Sequence, residues 1–220
     1  MDRIGWGVLG YARIAREQVI PAIQKSSQSE LRAIASQTAQ RLADCRVEHP
    51  GVKVYGTYDE LLADPEVQAV FIPLPNSLHK EWTIKAAERG KHVLCEKPLA
   101  LDAAECREMI AACAAHRVKL MEAFMYRYTD RVRKVEEILR SGALGEIRLI
   151  RSAFHFPLRR DPDIRLVQEL GGGSLYDVGS YTVNFLGLVT GSAPISVKAE
   201  AVTKNGVDLG FSAVLRYPGG

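Results

Sequence analysis

The first 124 residues alternate between short apolar segments and polar, helix-like segments. The strand-like segments are Ile4–Leu9, Leu31–Ala35, Val67–Leu74, His92–Cys95 and Lys119–Phe124. Helix-capping patterns stand between them, at Thr57 to Glu60 and at Asp102 to Glu105. Strands that alternate with helices are joined by crossovers and form a parallel sheet covered on both faces. The sequence therefore predicts an α/β domain with a doubly wound parallel sheet over residues 1–124.

The first strand runs directly into a degenerate dinucleotide-binding fingerprint. Residues 10–15, G-Y-A-R-I-A, have the spacing of G-x-G-x-x-G with alanine at the second and third glycine positions. Small residues let the backbone approach a pyrophosphate, and the following helix points free N–H groups and its positive dipole end at it. Small residues also serve tight packing between a strand and a helix. The position of the motif, between the first strand and the first helix, favours a nucleotide site at Gly10, Ala12, Arg13 and Ile14.

The second strand ends in Ser36-Gln37-Thr38, where an NAD-preferring site usually carries an acidic residue for the ribose hydroxyls. A hydroxyl and an amide at Ser36 and Gln37 leave room for a 2′-phosphate without repulsion between like charges. This favours NADP as the cofactor, with NAD possible. The alternative is that Ser36 and Thr38 only cap the next helix, and both can hold at once.

Two later strands also end in polar or proline-rich turns. Leu74-Pro75-Asn76 follows the third long strand and leads into a helix that carries His79, and Glu96-Lys97-Pro98 follows the next strand. Open α/β sheets bind their ligands at the carboxyl ends of the strands, so Lys97 is the first candidate for chemistry. The alternative for Glu96 and Lys97 is a solvated turn.

The pattern changes at about residue 125. A charged helix from Asp130 to Arg140 precedes a predicted long strand, Glu146–Phe156, and a loop that holds Arg159, Arg160, Arg165 and three consecutive glycines. A helix from Ser174 to Val189 and two strands, Ile195–Thr203 and Leu209–Tyr217, complete the chain. Long strands joined by a short turn indicate antiparallel or mixed pairing. Residues 125–220 are therefore predicted to form an incomplete α+β domain with an open, largely antiparallel sheet.

Asp177 and Tyr181 lie four residues apart in the predicted helix after the glycines. This spacing places a carboxylate and a phenol on one face, near a helix N-terminus that the glycine run would leave open. A tyrosine beside a lysine ammonium has its phenolate favoured, which suits a general acid or base. An isolated pair of this kind is usually only a hydrogen-bonded surface pair.

Composition and charge exclude several classes of protein. The basic residues, 29 Lys and Arg against 26 Asp and Glu, are scattered and do not indicate nucleic-acid binding. The amino terminus enters a strand by residue 3 or 4, with no basic segment followed by a long apolar run, so an export signal is not expected. No window approaches 18 continuous apolar residues, so a membrane span is not expected either. The four cysteines have no CxxC spacing, and this pattern favours a reduced, cytoplasmic protein without a zinc cluster.

The motifs together resemble the glucose-fructose oxidoreductase, inositol dehydrogenase and rhizopine catabolism family (Gfo/Idh/MocA). They are the leading fingerprint, the Leu-Pro-Asn turn with its following His, Glu-Lys-Pro, the segment M-E-A-F-M-Y-R at residues 121–127, and G-G-G-S-L-Y-D-V-G-S-Y at residues 171–181. The resemblance covers essentially the whole chain. The segment at 121–127 and the tyrosine at 181 are similar to the branch of NADP-linked xylose dehydrogenases and dimeric dihydrodiol dehydrogenases. Gln37 departs from the arginine that is common in relatives.

The resemblance implies an NAD(P)-dependent oxidoreductase that transfers a hydride between nicotinamide and a sugar, or a related polyhydroxy or cyclic alcohol, without a metal. Lys97 would polarise the reacting oxygen, Tyr181 would exchange the proton, and Asp177 would orient them. Further cofactor contacts are implied for Leu74, Pro75, Asn76, His79, Glu96 and Arg165. The Lys97–Pro98 bond is commonly cis in the family.

Two further expectations concern the chain as a whole. Relatives run to about half as long again, so we expect a chain truncated at its carboxyl end, whose last strand leaves an apolar edge unpaired. The resemblance implies that residues 125–220 are a partial domain for substrate binding and oligomerisation, and that a complete chain would form a homo-oligomer through its sheet. The alternatives to an active enzyme are a non-catalytic nucleotide-binding regulator of the same fold and an inactive fragment.

Overall fold

The computed structural model describes residues 3–159 and 163–218, and the chain divides into two compact units, Met1–Ala123 and Phe124–Gly220. The predicted domain boundary lies one residue beyond this division. The described residues do not include Arg160 of the predicted arginine-rich loop or the last two glycines.

The first unit is built on a parallel sheet. Its strands are β1 (Ile4–Leu9), β2 (Ser29–Ala35), β3 (Lys53–Tyr55), β4 (Ala69–Ile72), β5 (His92–Cys95) and β6 (Leu120–Glu122). They are ordered β3-β2-β1-β4-β5-β6, and every neighbouring pair is parallel. The order reverses between β1 and β4, which is where a doubly wound sheet opens a crevice at the strands' carboxyl ends. The predicted fold of the first domain is confirmed.

Two helices of this unit begin at the capping patterns that the sequence predicts. The helices of the unit are α1 (Ile20–Lys25), α2 (Ala39–Glu48), α3 (Tyr58–Ala63), α4 (His79–Glu88) and α5 (Ala103–Ala115), and a π-helical turn, Ala15–Val19, precedes α1. Thr57 and Glu60 form a complete capping box at α3. At α5 the box is modified: Asp102 accepts from the N–H of Glu105, while Glu105 itself accepts from the N–H of Leu101.

The core of the first unit lies on both faces of the sheet. Neighbouring residues of the central strands enter different clusters, as Val8 and Leu9 of β1 do, and as Phe71 and Ile72 of β4 do. All four are fully buried. Each side chain of this size stabilises the fold by about 1.5 to 3 kcal/mol relative to an exposed one. Burial on both faces explains why these strands are apolar throughout and do not alternate.

The second unit contains α6 (Asp130–Arg140), α7 (Ser180–Thr190) and an antiparallel pair, β7 (Ser196–Lys204) and β8 (Val207–Arg216). A π-helical turn, Leu175–Gly179, leads into α7, so the predicted helix is present with a wider first turn. Asn205 and Gly206 have φ values of 50° and 78°, as a tight hairpin turn requires. The mixed α and β character of this unit is confirmed.

The prediction of a strand at Glu146–Phe156 is wrong. These residues are mostly exposed and form no strand. Partial alternation of apolar residues is not sufficient for a strand, because a strand also needs a neighbour for its backbone hydrogen bonds. Within residues 3–159 and 163–218 no segment pairs with this one.

Three chemical features of the described residues bear on function. No helix in that part of the chain combines the length and the apolar character needed to cross a membrane. No group of three or more His, Cys, Asp or Glu there is arranged to hold a metal ion. The four cysteines are free thiols; three are buried and Cys106 is half-buried.

Candidate active site

The fingerprint turn stands at the carboxyl end of β1. Gly10 has a φ of 105°, and a Cβ there would lie 2.9 Å from Leu74 Cδ2 and 3.6 Å from the hydroxyl of Tyr58. Only glycine suits both the backbone angle and this close approach. The structure thus brings Gly10 and Leu74, two predicted cofactor-binding residues, into contact.

The remaining fingerprint residues open the first helical segment. Ile14 and the side chain of Arg13 are exposed, whereas Ala15 is fully buried. Arg13 lies 3.9 Å from Glu17, one helical turn further on. The small residue at position 15 therefore serves packing, and the exposed side of the turn lies at Arg13 and Ile14, with Ala12 half-buried.

The polar residues after β2 differ in exposure. Ser36 is buried, and its hydroxyl accepts from the N–H of Thr38 at 3.4 Å, while Gln37 and Thr38 are exposed. Thr38 is the N-cap residue of α2, but its side chain makes no capping hydrogen bond. The alternative that these hydroxyls serve only as helix caps thus has little support. Gln37 and Thr38 are thus accessible from solvent, whereas Ser36 is not.

Arg41 is a residue that the sequence analysis missed. It is exposed in the first turn of α2, directly after Ser36-Gln37-Thr38. Burial raises the pKa of Tyr58, and the Arg41 guanidinium opposes that rise, so the cation acts on a hydroxyl that adjoins Gly10. The sequence signal for Arg41 is its position in the first helical turn after the polar residues.

His79 does not face an open surface. It is fully buried at the start of α4, with Nδ1 2.8 Å from the carbonyl oxygen of Pro98 and Nε2 2.9 Å from that of Leu74. Burial lowers the pKa of His79, against the effect of these two carbonyls. Both ring nitrogens face backbone carbonyls, and the cofactor contact implied for His79 stays a prediction. His79 joins the turn after β4 to the turn after β5.

The turn after β5 holds the candidate catalytic lysine. The Lys97–Pro98 bond is cis, as expected. The N–H of Lys97 lies 3.3 Å from a carboxylate oxygen of Glu96. Burial raises the pKa of Glu96, while the Lys97 ammonium acts in the opposite direction. Asn76 and Pro75 stand at the corresponding turn after β4, so the predicted residues share one edge of the sheet.

In the second unit Asp177 pairs with Arg165. Arg165 Nε donates to Asp177 Oδ2 at 2.6 Å, and its Nη1 donates to both carboxylate oxygens of Asp163 at 3.1 and 3.2 Å. Burial disfavours the charge of Arg165, but the two carboxylates together raise its pKa. The guanidinium also lies 5.8 Å from the ring centroid of Phe156. Asp177 is therefore held by a charged partner and is more than a surface hydrogen-bonding residue.

Tyr181 lies among aromatic rings of the same unit. The centroids of Phe124 and Phe154 are each 5.4 Å from that of Tyr181, and the ring of Tyr126 is 6.0 Å away. The hydroxyl of Tyr126 donates to Asn184 at 2.6 Å. These rings fix the phenol of Tyr181 by packing.

The helix N-terminus beside Asp177 is closed, contrary to the expectation that the glycines leave it open. Asp208 of β8 accepts from the hydroxyl of Ser174 at 2.5 Å and from the N–H of Leu175 at 2.8 Å. Gly173 has a φ of 124°, and a Cβ there would overlap the carboxylate of Asp208. The cap comes from one residue, Asp208, more than 30 positions away, so no local pattern could have revealed it.

A parallel sheet with a glycine turn at its switch point and a lysine at a neighbouring strand end defines a dinucleotide-binding protein of the Rossmann class. Residues 4–124 match the family model described as "Oxidoreductase family, NAD-binding Rossmann fold", and residues 132–220 match that of the "GFO/IDH/MocA C-terminal domain". The chain belongs to the GFO/IDH/MocA oxidoreductase family.

Its relatives include both enzyme types of the predicted branch. The chain is 42% identical to D-xylose 1-dehydrogenase (NADP(+)) 2 of Haloferax volcanii, over 98% of this chain and 66% of that protein. It is 34% identical to trans-1,2-dihydrobenzene-1,2-diol dehydrogenase of Xenopus laevis, over 97% of this chain and 66% of that protein. The crystal structure of aldose-aldose oxidoreductase from Caulobacter crescentus, complexed with glycerol, matches with a TM-score of 0.91 and 32% identity, over 98% of this chain and 68% of that one. The chain thus spans just under two thirds of the length of these curated relatives.

Proposed function

We propose that this protein is an NADP-dependent oxidoreductase that transfers a hydride between nicotinamide and a sugar, or a related polyhydroxy or cyclic alcohol. The observation that carries the proposal is the shared sheet edge: the glycine turn after β1, the Leu74 turn after β4 and Lys97 after β5 meet there, in a family of NAD-binding oxidoreductases. The named activities of the relatives, on xylose and on a dihydrodiol, support the substrate class.

The residues present fit a dinucleotide. Gly10, with its φ of 105°, makes the turn at the switch point of the sheet, and the first helical segment, which would present its N–H groups to a pyrophosphate, begins just after it. When bound, nicotinamide supplies the hydride acceptor or donor. Gln37 and Thr38 offer hydrogen bonds without a negative charge, and Arg41 adds a cation in the next helical turn. These three residues favour the 2′-phosphate of NADP over the free hydroxyl of NAD.

The chain's own residues supply the acid–base chemistry. Lys97 binds the substrate oxygen and stabilises negative charge on it, and Tyr181 takes up the hydroxyl proton during oxidation or returns it during reduction. Asp177, fixed by Arg165, orients the reacting hydroxyl. Charge balances, because loss of a hydride and a proton converts a carbinol into a carbonyl.

The proposal also covers the location of the protein and its partners. Four free thiols support a reducing, cytoplasmic location. The second unit, with its open β7–β8 pair, is proposed as the surface through which copies of the protein associate. Nucleic acid and membranes are not proposed as partners.

The test is a titration with NADP and NAD followed by turnover on a panel of aldoses and cyclic diols. We expect NADP to bind more tightly and at least one member of the panel to be oxidised. Lys97→Ala and Tyr181→Phe should each lower kcat by about 10² to 10⁴ with little change in cofactor affinity. Lys119→Ala, at the opposite end of the sheet, is the matched control and should retain activity. NADP binding without turnover on any substrate would identify a nucleotide-binding regulator instead.

A further inference from the structure

One peptide unit next to Lys97 is held at both of its polar groups. The carbonyl oxygen of Pro98 lies 2.8 Å from Nδ1 of His79, and the N–H of Leu99, which belongs to the same peptide unit, donates to Oε1 of Glu122 at 2.9 Å. The side chain of Leu99 packs against the core below. The two holding side chains come from different elements, the first residue of α4 and the last residue of β6.

This arrangement leaves the backbone at Lys97 little freedom. A peptide unit is planar, so fixing its oxygen and its N–H fixes the orientation of the whole plane. The proline ring fixes φ of Pro98, and only ψ of that residue remains free between the held plane and the peptide that carries Lys97. The direction of the lysine side chain therefore depends on the plane that His79 and Glu122 hold.

We propose that His79 and Glu122 are positioning residues that grip the Pro98–Leu99 peptide from opposite sides and thereby aim Lys97 at the reacting atoms. The proposal rests on the role of Lys97 given above. Neither side chain needs to touch substrate. The other edge of the His79 ring lies against the turn after β4, since Nε2 is 2.9 Å from the carbonyl oxygen of Leu74, whose side chain adjoins the fingerprint glycine.

The two residues should therefore differ in their effects. Loss of the Glu122 carboxylate frees the N–H of Leu99 on the Lys97 side, so Glu122→Ala should lower kcat by about 10- to 100-fold and leave the Kd of NADP within about twofold. Glu122→Gln retains an acceptor oxygen for Leu99 and should restore kcat to within about threefold. His79→Phe keeps a ring but no hydrogen-bonding nitrogen, and it should both lower kcat and raise the Kd of NADP.

Glu105 supplies the matched control. Its carboxylate also accepts a backbone N–H, that of Leu101, at 3.1 Å, but this bond lies two residues beyond the held peptide. Glu105→Ala should cost similar stability in a thermal melt and leave kcat within about twofold. His79→Phe and Glu122→Ala together should lower kcat by less than the product of the single effects, since both act on one peptide.

The rate of amide hydrogen exchange at Leu99 measures how firmly the Pro98–Leu99 peptide is held, and it requires no turnover. Exchange should quicken in Glu122→Ala and stay slow in Glu122→Gln and Glu105→Ala. Faster exchange with unchanged kcat would overturn the proposal, and so would a loss of kcat in Glu122→Gln equal to that in Glu122→Ala, because the charge itself would then act in the reaction. If the wild-type protein turns over no substrate, the proposed function fails. The grip is then judged by exchange alone, and unchanged exchange in both Glu122→Ala and His79→Phe overturns it.

Discussion

Replacement of Gly10 by alanine tests the nucleotide site most directly. At a φ of 105° a residue with a Cβ is strained by about 2 kcal/mol, and the Cβ would stand 2.9 Å from a methyl carbon of Leu74, whose side chain is nearly buried. Displacing Leu74 costs about a further 2 kcal/mol. Gly51 is the matched control, because its φ is 91° and a Cβ there would meet nothing within 4 Å.

The two variants should separate strain from function. With about 2 to 4 °C of Tm per kcal/mol for a chain of this size, Gly51→Ala should lower Tm by about 4 to 8 °C, and Gly10→Ala by about twice as much. Only Gly10→Ala should weaken NADP binding, by about 10- to 150-fold, because the shifted turn loses charge-assisted hydrogen bonds to the pyrophosphate. Thermal melts and titration of NADPH fluorescence measure both effects. Equal NADP affinity in the two variants would refute a nucleotide site at Gly10.

Three further outcomes are expected. Gln37→Asp should raise the Kd of NADP by about tenfold or more in titrations and leave the Kd of NAD within about threefold, since the new carboxylate repels the 2′-phosphate. An equal loss of affinity for both cofactors would contradict this. Burial tends to raise the pKa of Asp64, but the hydrogen bonds to its carboxylate, including that from Lys53, leave the pKa lowered. The ionised carboxylate therefore stabilises the fold fully above about pH 4, and this stabilisation is lost as the pH falls through the lowered pKa. Denaturant melts from pH 6 to 3 should show a flatter profile for Asp64→Asn, and parallel profiles would count against it. Asp208→Ala should cost about 1 to 2 kcal/mol in such melts through loss of its cap on Leu175, and Asp208→Asn clearly less.

The fold of the first unit could be predicted because local pattern and tertiary environment agree there. Strands buried on both faces are continuously apolar, and the caps at Thr57 and Asp102 mark helix starts. The run from Val67 to Leu74 gives a shorter strand, Ala69–Ile72, since Pro73 has no N–H for the ladder. At residues 146–156 the pattern alone failed, because pairing depends on a neighbour that periodicity does not reveal.

The residue types of the site could be predicted from the sequence, but the contacts that those residues make could not. Lys97 and the Gly10 turn lie at the sheet edge where the motifs placed them. The burial of His79 could not be foreseen, because its partners are backbone carbonyls, which have no sequence signature. The same holds for Asp208, which is distant in sequence from the helix it caps.

The strand order of the first unit has a consequence for biosynthesis. β1 is made first, but one of its two neighbours is β4, which begins at Ala69. At about 5 to 20 residues per second, the ribosome needs about 3 to 12 s between Leu9 and Ala69. Throughout that interval one edge of an apolar strand is without its partner, and the contact between Gly10 and Leu74 cannot form. We expect nascent chains of this length to be bound by chaperones and open to proteases, and to become resistant once β4 has emerged.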